Sequence, residues 1–127
     1  MDSERLTVRS AYQRGWQVVE NNRAIETFDS KAEAFNFVHA RDARVQLTWG
    51  RTAISGKVLH YDFGATYGDT SVGRIMKEIH GPSAGTWSWT CYDGGARGRS
   101  DTKDEAAAAV EVAYTRRVVG ADLARKS

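Results

Sequence analysis

The sequence predicts an α+β fold: a duplicated β-β-β-α repeat, with antiparallel sheets and two helices packed on one side. Three observations carry this. The pattern Asp-Ser/Thr-Lys-x-Glu-Ala occurs twice, as Asp29-Ser30-Lys31-Ala32-Glu33-Ala34 and as Asp101-Thr102-Lys103-Asp104-Glu105-Ala106. Each copy follows a strand built around tryptophan, Trp16-Gln17-Val18 and then Trp87-Ser88-Trp89. In both copies a hydroxyl residue stands three places before a glutamate and opens an apolar run, the signature of a capping box at a helix N-terminus.

The first repeat is read over 5–41. Alternation around Leu6 and Val8 gives a half-buried strand. Gln13-Arg14-Gly15 is a turn, 16–20 a second strand, and Asn21-Asn22 a two-residue hairpin turn, because asparagine tolerates positive φ. A third strand over 24–28 leads to Ser30 as cap and a helix from Lys31 to about Arg41, with Ala34, Phe37, Val38 and Arg41 sharing a face. A connecting hairpin is expected over 43–70. It has one strand through Val45, Leu47 and Trp49, a joining loop over 50–56, a strand over 57–63 and a loop over 63–69.

The second repeat spans 73–119. It has a strand over 73–80, a loop over 80–85, a strand over 86–92 with Trp87, Trp89 and Cys91 on one face, a turn at Asp93-Gly94-Gly95, and a return over 96–100. The helix after Thr102 runs through an alanine-rich stretch of high helix propensity and is expected to stop near Gly120, leaving 121–127 frayed. All 127 residues are expected to form a single compact domain.

Composition narrows the function. No apolar run approaches the roughly 20 residues of a membrane span, and the N-terminus lacks an apolar leader. With Cys91 as the single cysteine, no internal disulfide can form, and a cytoplasmic protein is expected. Three histidines on separate elements and one cysteine do not suggest a metal site. No phosphate loop or nucleophile–base pair stands out, so neither a cofactor nor an enzyme is expected. The net charge of +2 argues against a protein that holds nucleic acid by bulk charge alone.

A Trp-x-Val strand, a tight turn, a strand ending in Phe28 and then Ser30-x-x-Glu33-Ala34 resembles the small β-β-β-α modules of bacteria and their phages. Some of those are tandem-repeat proteins. Others are similar to the arm-type DNA-binding module of tyrosine-recombinase integrases, in which a three-stranded sheet lies in the major groove. The resemblance covers 5–41 and 73–119 and implies DNA or RNA as partner, held on a sheet face. The sequence departs from the DNA-binding pattern at Gln17, Val19 and Asn21, which occupy outward positions of the first central strand without cationic charge.

The candidate contact residues are Arg9, Arg14, Arg23, Tyr92, Arg97 and Arg99. Arg97 and Arg99 lie two apart in Gly94-Gly95-Ala96-Arg97-Gly98-Arg99-Ser100, so on a strand they point the same way. The same segment also reads as a glycine-rich hairpin with solvated arginines. Trp16 and Trp87 are expected in the core, with Trp49 the most exposed of the four tryptophans. The alternative function is a protein-interaction module, such as a phage- or mobile-element-encoded inhibitor or a homodimer joined through open strand edges.

Overall fold

A computed structural model describes residues 4–11, 13 and 15–126. The fold is α+β, with nine strands and two helices in the order β1 (Arg5–Ala11), β2 (Gly15–Glu20), β3 (Arg23–Phe28), α1 (Lys31–Ala40), β4 (Arg44–Val45), β5 (Thr48–Ile54), β6 (Lys57–Tyr67), β7 (Thr70–Lys77), β8 (Trp87–Cys91), β9 (Arg97–Ser100) and α2 (Lys103–Lys126). The strands form two sheets, ordered β3-β2-β1-β4 and β5-β6-β7-β8-β9. The chain makes two compact units, one of Met1–Gln46 with Tyr114–Ser127 and the other of Leu47–Ala113.

In the first unit β1, β2 and β3 form an antiparallel meander. Asn21 and Asn22 both take positive φ (51° and 66°), as a two-residue hairpin turn with right-handed strand twist requires. Gly15 also needs its glycine: φ is +77°, and a Cβ there would lie 2.3 Å from the Phe28 carbonyl oxygen. Ser30 caps α1, its hydroxyl accepting from the Glu33 amide at 3.2 Å. The Glu33 carboxylate accepts the Ser30 hydroxyl proton, an ordered variant of the reciprocal box. The helix ends in a Schellman turn: Ala43 N–H bonds to the Val38 carbonyl and Asp42 N–H to that of His39, with Asp42 at φ 55°.

The helix face differs from the sequence expectation. Phe35 is fully buried, while Phe37 is half-buried against Phe28. Phe35 meets the ring of Tyr114 edge-on at 5.8 Å, and Lys31 Nζ donates to the Tyr114 hydroxyl at 3.0 Å. Periodicity within α1 alone could not reveal that a second helix supplies the far side of Phe35. The core of this unit is Leu6, Val8, Val18, Val19, Ala34, Phe35, Val38, Ala43, Val45, Tyr114 and Val119, so Val19 is buried and not outward as expected.

The segment expected to be one connecting hairpin is divided. Arg44 and Val45 pair parallel to Arg5 and Leu6, so the first sheet is mixed rather than purely antiparallel. From Thr48 onward the chain belongs to the second sheet. There β5 runs straight through Gly50, and the turn is the tight pair Ser55-Gly56, both at positive φ. The expected loop after Phe63 is strand through Tyr67, because Gly64 and Ala65 sit between two neighbours in the sheet.

In the second unit β5 to β9 form a continuous antiparallel meander. Ala65, Ile75, Trp87 and Cys91 pack with Ala106 and Val110 of α2 in the core. Gly73 admits the helix: a Cβ there would lie 2.6 Å from Val110 Cγ1 and 2.7 Å from the Thr90 carbonyl. Thr102 caps α2 in the same way as Ser30 caps α1, accepting from the Glu105 amide at 3.1 Å and donating to its carboxylate at 2.9 Å. The helix does not stop at Gly120 but continues to Lys126, with Val119 buried and Asp122 accepting from Asn36. Tertiary packing of this kind outweighs the cost of one helical glycine, about 1 kcal/mol.

Candidate nucleic-acid interface

The site is built on the face of the second sheet opposite α2. Strand alternation puts Trp87, Trp89 and Cys91 on the helix side, and Ser88 and Thr90 on the other; Tyr92 is the residue just past the end of β8. Trp89 lies over Gly98, where a Cβ would come within 2.9 Å of the indole. That glycine therefore fills a packing role between the two arginines of β9.

Register assigns the outer face residue by residue. Arg97 stands opposite Thr90, and Thr90 opposite Arg74. One row along, Arg99 stands opposite Ser88, and Ser88 opposite Met76. Arg97 and Arg99 are exposed, and their guanidinium groups make no hydrogen bond or ion pair among the described residues. Tyr92, just past β8, is 51% exposed and lies near Arg74. Strands are spaced about 4.8 Å, so Arg74 and Arg97 sit roughly 10 Å apart across Thr90.

Arg74 was not among the residues picked from the sequence. Its guanidinium binds Asp62 through both Nε, at 2.8 Å, and Nη2. Asp62 is only 4% exposed and also accepts from the Thr52 hydroxyl at 2.8 Å. The hydrogen bonds from Arg74 hold the Asp62 carboxyl below the usual carboxylate range, against the opposing effect of burial. The outcome is a fixed ion pair whose guanidinium keeps a half-open side. The signal was faint: an arginine alternating with Ile75 on a strand, and an aspartate twelve residues earlier on the preceding strand.

The remaining sequence-predicted residues are not part of this face. Arg9 and Arg23 belong to the first unit. Arg9 is exposed on β1, opposite Gln17, and donates to its side chain at 3.5 Å. Arg23 is exposed at the start of the edge strand β3. Arg14 lies outside the described residues. The structure thus gathers Tyr92, Arg97 and Arg99, adds Arg74, Ser88 and Thr90, and assigns Arg9 and Arg23 to a separate unit.

Trp49 is half-buried, and its indole Nε1 donates to Glu111 at 3.2 Å. Glu111 is 1% exposed and also accepts from the Leu47 amide at 2.9 Å, so this acid pins the start of β5 to α2. Among the described residues no group of three or more His, Cys, Asp or Glu side chains is placed to hold a metal ion. Cys91 is buried, its thiol directed at the Asp93 carbonyl. No helix among the described residues is long and apolar enough to cross a membrane. Comparison with protein-family models, curated proteins and solved structures finds no match.

Proposed function

We propose that this protein is a non-enzymatic nucleic-acid-binding module that docks through the outer face of its five-stranded sheet. The observation that carries the reading is the pair of cross-strand rows Arg97–Thr90–Arg74 and Arg99–Ser88, with Arg97 and Arg99 exposed and unpaired among the described residues. Guanidinium groups are suited to phosphate oxygens and base edges, and hydroxyls between them supply further hydrogen bonds. The likeness to arm-type integrase modules supports the same docking mode and treats the two meander–helix runs as copies of one module.

Fluorescence anisotropy with labelled single- and double-stranded DNA and RNA, at low and physiological salt, tests this. Binding is expected to weaken steeply with salt. Replacing Arg97 and Arg99 together by alanine should lower the slope of log K against log salt by about 1.4 to 1.8. No binding at low salt, where attraction is strongest, would refute the proposal.

A second reading, a protein-interaction surface, rests on a different observation. Ile54, Val58, Tyr61, Met76 and Ile79 are exposed apolar side chains of the second unit, and four of them line a groove of about 440 Å³ between the start of β6 and the end of β7. Sedimentation at micromolar concentration, with and without Val58→Asp, tests self-association through it. A monomer in both cases would exclude the homodimer.

A further inference from the structure

The outer face of the second sheet has a polar gradient, and this indicates which form of nucleic acid fits it. One cross-strand row spans all five strands: Gly50, Gly64, Arg74, Thr90 and Arg97. The next row toward the β6–β7 turn is Thr48, Thr66 and Ser71. The three arginines of the face, Arg74, Arg97 and Arg99, all lie on β7 and β9, whereas β5 and β6 present hydroxyls, bare backbone and the buried carboxylate of Asp62, which pairs with Arg74. A groove of about 300 Å³ runs along this part, lined by Thr48, Gly50, Thr52, Gly64, Thr66 and Ser71 together with Trp49 and Arg51; the Arg51 guanidinium is carried to the Phe63 ring, 5.9 Å from its centroid, on the side of the sheet that holds Trp87.

The two glycines are not demanded by the backbone. Neither has positive φ, and a Cβ at either would meet nothing within 4 Å. Glycine inside a strand weakens it, and is found where another group approaches the backbone closely. Here a flat peptide floor adjoins the guanidinium of Arg74, which Asp62 and Thr52 fix in place.

We propose that this face takes a single-stranded nucleic acid running across the strands. Its phosphates lie at Arg97, Arg99 and Arg74, and a base lies flat over Gly64 and Gly50. A duplex would present phosphate on both sides of a major groove about 12 Å wide. The face offers cations at one end only, so a duplex would set its second phosphate row over uncharged hydroxyls. A single strand has free bases that can rest on a flat surface, with their edges open to the hydroxyls of Thr48, Thr66 and Ser71. Tyr92, exposed beside Arg74, offers a stacking surface at the charged end.

This rests on the nucleic-acid reading, and the test separates the two. Binding of a labelled single-stranded oligonucleotide, as DNA and as RNA, is compared with the duplex of the same sequence for wild type, Gly64→Val and Thr66→Val. Valine is a good strand former and has open space at Gly64, so the fold is expected to survive; thermal melting of each variant checks this. Gly64→Val should weaken single-strand binding about tenfold or more, with the salt slope unchanged, because a base is displaced while phosphates stay paired. Thr66→Val should produce a smaller loss of the same kind. Duplex binding equal to or tighter than single-strand binding, or an unaltered affinity in a folded Gly64→Val protein, overturns this inference and leaves the general proposal standing. Loss of all binding in wild type at low salt overturns both.

Discussion

The carboxylate of Asp62 is buried and hydrogen-bonded by both Arg74 and Thr52, so its charge contributes to stability in a way that pH should reveal. Asp62→Asn keeps the shape and removes the charge. The expected loss at neutral pH is about 1–3 kcal/mol, moderated because the Arg74 side chain is 41% exposed and water can replace its partner in part. Arg74 lowers the folded-state pKa of Asp62. The stabilisation is therefore present above the unfolded value of about 3.9 and disappears as pH falls through the lower folded value. Urea midpoints of wild type and Asp62→Asn should differ at pH 7 and converge in strong acid; an equal gap at both would refute the assignment. Glu111 is tested by a contrast of substitutions. Glu111→Ala strands the Leu47 amide and the Trp49 indole and should cost about 2–5 kcal/mol, whereas Glu111→Gln retains an acceptor and should cost clearly less. Denaturation followed by tryptophan fluorescence measures both.

At the scale of elements, Gly120 distinguishes two accounts of α2. As a left-handed cap it would resist any side chain; inside a helix, with nothing within 4 Å of its Cβ position, it gains from one. Gly120→Ala should therefore stabilise the protein by about 1 kcal/mol, read as a raised denaturation midpoint, and a lowered midpoint would restore the cap. The expected stop at Gly120 came from a local rule. What carries the helix past it is tertiary: Val119 is buried, and Asn36 reaches Asp122 from α1. Elements whose signals are local were legible: both capping boxes, the Asn21-Asn22 turn and the three strands before each helix. Gly50 and Gly64 misled because glycine marks loops in sequence, and here it lies mid-strand between paired neighbours. The site was legible where alternation sufficed, at Ser88, Thr90, Arg97 and Arg99. Arg74 was not, since its role depends on Asp62, an acid on the neighbouring strand that the register sets diagonally across from it, opposite Met76. Glu111 left a trace that could have been followed, a glutamate between Val110 and Val112 well past the first helical turn, where no dipole argument applies.

At the scale of the whole molecule, α2 supplies residues to both compact units: Ala106, Val110 and Glu111 to the second, and Tyr114, Thr115 and Val119 to the first. The first unit would be incomplete without residues more than sixty positions beyond its last strand. Within it, Thr115 Oγ1 accepts from the buried Val45 amide at 2.9 Å, and Tyr114 closes one side of Phe35. Ending the chain at Ala113 removes both, together with the buried Val119. Each lost apolar side chain is worth about 1.5–3 kcal/mol, and the Val45 amide loses its acceptor besides. Amides of β1 and α1 should then exchange with solvent at least about a hundredfold faster, since 1.4 kcal/mol is a factor of ten. The β7 and β8 amides, whose unit keeps every residue that defines it, provide the internal reference in the same sample. Hydrogen exchange read by mass spectrometry decides the matter. Undiminished protection of β1 would mean that Arg5–Val45 holds its own core. Selective loss there would show that the last three turns of α2 complete the first unit, as the burial of Tyr114, Thr115 and Val119 requires.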